Sequence, residues 1–213
     1  MKWKSTLMGT IVGCSLAFQL DTIPASSQPN NLSWMTIFNQ QQEPGESEDD
    51  RTLGNRNGLC IVAPSGNIWH QKPVFIWYGE LAKLEVQTQS SDTVVWRKEV
   101  TANDSHVIYD GEPLQPGKAY NLVVFLDKNP AWEVPFQILP YATRAQHWGN
   151  IHELENNLKQ QGADTNEIAL YRAQYFQQQG WQSDVIQEAF SVANPSDQLQ
   201  EIRRRWQTEY CSP

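Results

Sequence analysis

The sequence predicts an α+β fold: a small antiparallel β-sandwich over residues 58–140, followed by a C-terminal bundle of three to four helices over 141–213. Three observations predict it. Six or seven short runs rich in β-branched and aromatic residues, separated by turn residues, fill the first part, and no helix-period stretch interrupts them. Beyond residue 140 the apolar residues recur at helical spacing between capping residues and glycines. Two cysteines, Cys60 and Cys211, bracket both parts.

The chain opens on an address. Met1-Lys2-Trp3-Lys4 is basic, residues 5–20 carry no charge, and Ala25 and Ser27 place small residues at −3 and −1 of a cut after Ser27. That is the pattern of a secretory signal peptide over 1–27. The uncharged stretch is short for an uncleaved anchor, which needs about 20 residues. Ile11-Val12-Gly13-Cys14 also resembles a lipobox, which gives lipidation at Cys14 as the alternative route, although Leu16-Ala17-Phe18 extends the apolar run past the cysteine. No later run has the length of a span. The mature chain is therefore expected in the periplasm or outside the cell, without a membrane span and tethered, if at all, by its N-terminus.

Residues 28–57 read as an acidic, largely disordered leader. Gln40-Gln41-Gln42-Glu43-Pro44-Gly45-Glu46 and the acidic residues after it hold too little apolar surface to offset the entropy of ordering them. Trp34-Met35-Thr36-Ile37-Phe38 is an apolar island within this leader. With 16 basic and 24 acidic residues the chain carries −8, and loss of Lys2, Lys4 and Asp21 with the signal makes that −9. Such a balance excludes a nucleic-acid binder, which needs a basic face.

Each strand then follows from its own run. Leu59-Cys60-Ile61-Val62-Ala63 stops at the turn Pro64-Ser65-Gly66-Asn67. Pro73-Val74-Phe75-Ile76-Trp77-Tyr78 is the most strand-like segment, and Leu81, Leu84 and Val86 mark the next. Thr93-Val94-Val95-Trp96 follows Ser90-Ser91-Asp92, and His106-Val107-Ile108-Tyr109 ends at Asp110-Gly111. Residues 119–126 follow Pro116-Gly117, and residues 132–139 alternate and close at Pro140.

Pro73, Phe75 and Trp77, then Val94-Val95-Trp96, then Leu114, Pro116, Gly117 and Tyr120 stand in an order that resembles immunoglobulin-like and fibronectin-III-like domains of secreted bacterial proteins. Gly54-Asn55-Arg56-Asn57-Gly58-Leu59-Cys60, taken with Pro73-Val74-Phe75-Ile76-Trp77, resembles a cyanobacterial family of exported proteins of unknown function with a C-terminal helical part. The resemblance covers residues 54–213 and implies secretion and a sandwich. It supplies no catalytic residues. The chain departs from it in a sparse glycine stretch and in Tyr78-Gly79-Glu80, where a proline is expected after the aromatics.

Trp148, Ile151, Leu154 and Leu158 stripe the first helix, which Gly162 ends. Asp164-Thr165-Asn166-Glu167 has the spacing of a capping box and starts the second. Ile168, Ala169, Tyr171, Ala173, Tyr175 and Phe176 give its apolar face, and Gly180 stops it. Val185, Ile186, Ala189, Phe190 and Ala193 form the third. Leu199, Ile202, Trp206 and Tyr210 stripe the fourth after Asn194-Pro195-Ser196. The second and third resemble a single tetratricopeptide-like hairpin. One repeat buries no solenoid core, so the helices are expected to pack on one another and against the sandwich.

With Cys14 removed, Cys60 and Cys211 are most simply a disulfide in an exported protein, free thiols being the alternative. Catalytic motifs are sparse. There is no Gly-x-Ser-x-Gly elbow, P-loop or dinucleotide fingerprint, so no cofactor is expected. His147 and His152 lie five apart, off the i, i+4 face of a zinc site, so no metal is expected either. Glu80, Glu85, Asp92, Glu99, Asp104, Asp110 and Glu112 lie near strands and turns. A facing pair among them would make a glycoside hydrolase, the least favoured reading. Eight tryptophans follow the signal. Trp77, Trp96, Trp148 and Trp206 are expected in the core, whereas Trp69 and Trp181, in turn-like contexts, are the candidate ligand contacts. Arg203-Arg204-Arg205 is expected to pair with acids such as Glu201. The reading is an exported non-enzymatic adaptor whose partner is another envelope or extracellular protein; an envelope carbohydrate-binding module is the alternative.

Overall fold

The computed structural model describes residues 58–211. The expected signal peptide, Cys14, the expected leader with its apolar island and the Tyr210 side chain lie outside the described residues. Eight strands come first: β1 (Cys60–Ala63), β2 (Gly66–Ile68), β3 (Val74–Tyr78), β4 (Lys83–Thr88), β5 (Val94–Glu99), β6 (His106–Ile108), β7 (Ala119–Phe125) and β8 (Pro130–Ile138). Four helices follow: α1 (Tyr141–Gln160), α2 (Thr165–Gln178), α3 (Gln182–Ser191) and α4 (Asp197–Tyr210).

The strands form two sheets, one ordered β1-β3-β6 and one ordered β2-β8-β7-β4-β5. Their pairings are antiparallel except β2 with β8, which run parallel, Gly66 opposite Phe136 and Ile68 opposite Ile138. β2 lies where the sequence reads only a turn. Three residues carry no alternating pattern, and the partner strand is some seventy positions away, so local signals cannot reveal it. Elsewhere alternation works: Val134, Phe136 and Ile138 of β8 point inward. Ile61, Phe75 and Trp77 from the first sheet join Leu84, Val86, Leu122, Val124 and the β8 residues of the second in one apolar core. Phe75, Trp96 and Tyr109 meet ring to ring inside it, at centroid separations of 5.1 to 6.3 Å. The Trp96 indole N–H donates to Asp110 at 2.5 Å, so burying that ring orphans no donor.

Gly79 explains the departure noted after the β3 aromatics. Its φ is +100°, and a Cβ there would stand 2.2 Å from the Gly58 carbonyl oxygen, so neither proline nor any side chain fits.

The helices form as their caps direct. Asp164 accepts from the Asn166 and Glu167 N–H groups at 2.8 and 2.9 Å, and Glu167 accepts from the Asp164 N–H, closing the capping box. α2 packs on α1 and α3, α3 on α4, and α3 and α4 cover β1. α3 also touches β2 and β3. It is therefore buried on most sides, polar residues included: Ser183, Asp184 and Glu188 are each under 7% exposed.

Cys60 opens β1 and Cys211 follows α4. Their Cα atoms lie 5.6 Å apart and their sulfurs are bonded, closing a separation of 151 residues. No described helix is long and apolar enough to cross a membrane.

Candidate functional site

The polar residues of α3 meet the chain between β1 and β3. Ser183 Oγ accepts from the Ser65 N–H at 2.9 Å and donates to the Ser65 carbonyl at 3.0 Å. Asp184 accepts from the Trp69 N–H at 2.8 Å and the His70 N–H at 3.0 Å. Gln187 accepts from the Val74 N–H at 3.2 Å and donates to the Lys72 carbonyl at 3.1 Å. One face of a helix thus supplies the partners that this buried backbone lacks from a sheet.

His70 lies at the centre. Its Nδ1–H donates to Asp184 Oδ1 at 2.5 Å and its Nε2 stands 3.2 Å from Glu188 Oε1. Burial alone would lower the imidazole pKa, but the hydrogen bonds to Asp184 and Glu188, with their charges, override it and push it up to about 9. Burial likewise disfavours the Glu188 carboxylate, yet His70 and Arg172 bring its pKa below the ordinary value. Arg172 Nη2 donates to the same Glu188 oxygen at 2.8 Å, while Nη1 pairs with Glu155. A cleft of 660 Å³ lies over this cluster, lined by His70, Glu155, Arg172 and Glu188 together with Lys159 and Asn194.

The chemistry this allows is narrow. A histidine held as a cation between two carboxylates is no general base near neutral pH. Ser183 Oγ is occupied on both sides by Ser65, and Ser191 Oγ donates to the Glu188 carbonyl at 2.8 Å, so neither is poised beside the imidazole as a nucleophile. The arrangement is an ionic junction that holds helices to strands.

The junction has a pH signature. The raised pKa of His70 makes its contribution complete below the unfolded value of 6.5 and lost as pH rises through about 9. We expect stability to fall by about 3 kcal/mol between pH 6.5 and 9 from this group alone, and His70→Gln to flatten that slope. Urea midpoints measured across the interval check it; identical slopes for both proteins would refute the assignment.

The structure brings Trp69 and Trp181 together. Their rings stack at 5.8 Å and 14°, with Phe176 against both. The Arg144 guanidinium covers Trp69 at 4.5 Å and His147 meets Trp181 edge-on at 4.9 Å. Trp69 is 5% exposed and Trp181 half-buried.

Trp77, Trp96 and Trp206 are buried as expected, but Trp148 is not: it is 61% exposed. Its stripe predicts which residues share a face, and Ile151 and Leu158 on that face are buried. α1, however, packs on α2, and that packing leaves most of the Trp148 ring exposed. His152 stacks on the Trp148 ring at 6.2 Å, and Glu155 is held by Arg172 and Lys159. Arg204 and Arg205 pair with Glu201, while Arg203 instead donates to the Ala189 and Val192 carbonyls.

Of the acids named from sequence, Glu85 is held by Lys83, Gln87 and Arg97, Asp110 by Trp96 and Lys98, and Asp104 by Thr101. The carboxylates that do converge, Asp184 and Glu188, were not among them. Their i, i+4 spacing beside Val185, Ile186 and Ala189 was the one available signal, since it puts two acids at the edge of an apolar face. Among the described residues no group of three or more His, Cys, Asp or Glu is placed to hold a metal ion. No family model, no curated protein and no solved structure matches the chain, so a function can be argued only from these residues and their geometry.

Proposed function

We propose that the protein is an exported, non-enzymatic binding protein, an adaptor built on an immunoglobulin-like sandwich with a helical docking part. What carries the reading is the use of the His70–Asp184–Glu188–Arg172 cluster. Its hydrogen-bonding capacity goes into the join between strands and helices, and the exposed aromatics of α1 are left as the face that meets another molecule. The disulfide is compatible with an oxidising compartment, and the basic start, apolar stretch and small residues of 1–27 support export. The likeness to exported cyanobacterial proteins belongs to the same proposal.

A photo-crosslinking residue in place of Trp148, in intact producing cells, tests it. The expected result is an envelope adduct that is absent when the same residue replaces the exposed Lys128. Equal labelling at both positions would refute the docking face. Turnover of any hydrolase substrate that His70→Gln abolishes would refute the non-enzymatic reading.

A further inference from the structure

A second cleft, of 490 Å³, lies on the α1 face, lined by Gln71, Pro116, Tyr141, Arg144, Ala145 and Trp148. Tyr141 and Trp148 are 78% and 61% exposed, the two most exposed large apolar side chains among the described residues. Seven positions apart on one helix, they share a face and stand about 10 Å apart along its axis. Arg144 comes between them on the same stripe.

That arginine is short of an anion. Nη2 donates to the neutral Gln71 Oε1 at 3.0 Å and its flat face lies on Trp69, while Nη1 is buried with no hydrogen-bond partner among the described residues. It makes no ion pair among the described residues, and Asp184, already holding His70, acts on it only from beyond ion-pair distance. Among the described residues no acidic one lines the cleft. The first turn of α1 contains none either, and no side chain caps it, so the helix dipole adds the same sign. Within a chain of net charge −8 this is a local positive site between two flat aromatic surfaces.

We infer that this cleft binds an acidic polysaccharide: the sugar faces stack on Tyr141 and Trp148, and a uronate carboxylate pairs with Arg144. The inference rests on the binding-protein reading and names its ligand class. Aromatic rings attract the C–H faces of pyranoses through the negative face of the π system, and the guanidinium fork matches a carboxylate. Two rings separated along the helix suit a polymer that repeats, and the single cation between them selects an anionic one.

Titration of the purified, disulfide-intact protein with oligogalacturonate and with a cello-oligosaccharide of equal length, read by calorimetry and tryptophan fluorescence, tests it. Saturable binding of the galacturonate, at least about tenfold tighter than the neutral glucan, is expected. Trp148→Ala should weaken it by about tenfold or more with an unchanged melting temperature, since the ring is exposed. Arg144→Gln should remove the preference for the acidic sugar, and Arg144→Lys should keep part of it. Equal affinity for both sugars, or an unaffected Trp148→Ala, would overturn the inference. Binding of poly-glutamate in place of galacturonate would also overturn it, making the cleft a peptide dock. A site-specific adduct at position 148 combined with failed galacturonate binding would refute the ligand class and leave the binding-protein reading standing; loss of both would refute both.

Discussion

Asp184→Ala is expected to destabilise the protein by about 3–5 kcal/mol, the cost of leaving a buried charge network without one partner. The carboxylate is 1% exposed and takes three donors: the Trp69 and His70 N–H groups and the His70 imidazolium. Alanine leaves both backbone donors buried and unpaired, and it strands a cation beside Arg172, whose Nη2 lies 3.2 Å from His70 Nε2. The imidazole keeps Glu188 but loses Asp184, so its pKa falls and the loss of stability with rising pH moves to lower values. Asp184→Asn should recover little, because one amide oxygen replaces two carboxylate oxygens and the amide N–H₂ faces other donors. Domains of this kind hold about 5–15 kcal/mol in total, so the variant approaches the limit of folding. Guanidinium denaturation followed by tryptophan fluorescence measures it; a midpoint equal to that of the parent would show that the junction carries no weight.

Opening the Cys60–Cys211 bond is expected to have an effect of similar size. A loop of 151 residues corresponds to about 5 kcal/mol in the chain-entropy account of disulfides. Reduction also frees the end of α4 from β1, which that helix covers. Cys60→Ser should therefore lower the melting temperature under oxidising conditions and make stability indifferent to reductant. The outcome against it is a melting temperature that matches the parent under oxidising conditions.

Much of the fold was legible because its signals are local. Alternation in β8, the β-branched run of β3 and the Asp164 capping box each need only a few neighbouring residues. The disulfide was legible because reading residues 1–27 as a signal leaves two cysteines in the chain. β2 was not, because its only structural reason is β8. Nor was the ionic junction: Asp184 and Glu188 look like one solvated side of an amphipathic helix until His70, 114 residues away in sequence, is placed between them. Trp148 failed for another reason. Spacing assigns a residue to a face, but only the packing of α1 decides how far the cover over that face extends.

The partners that α3 gives to the backbone from Ser65 to Val74 make the strand half depend on the C-terminal half of the chain. The N–H groups of Ser65, Trp69, His70 and Val74 take their acceptors from Ser183, Asp184 and Gln187. Buried N–H groups need partners, so the strand half of this chain is chemically incomplete without α3. Without the residues beyond 140 those four N–H groups have none of these side-chain acceptors. Completion of the strand half thus depends on Ser183, Asp184 and Gln187, and the Cys60–Cys211 bond closes the start of β1 onto the residue that follows α4.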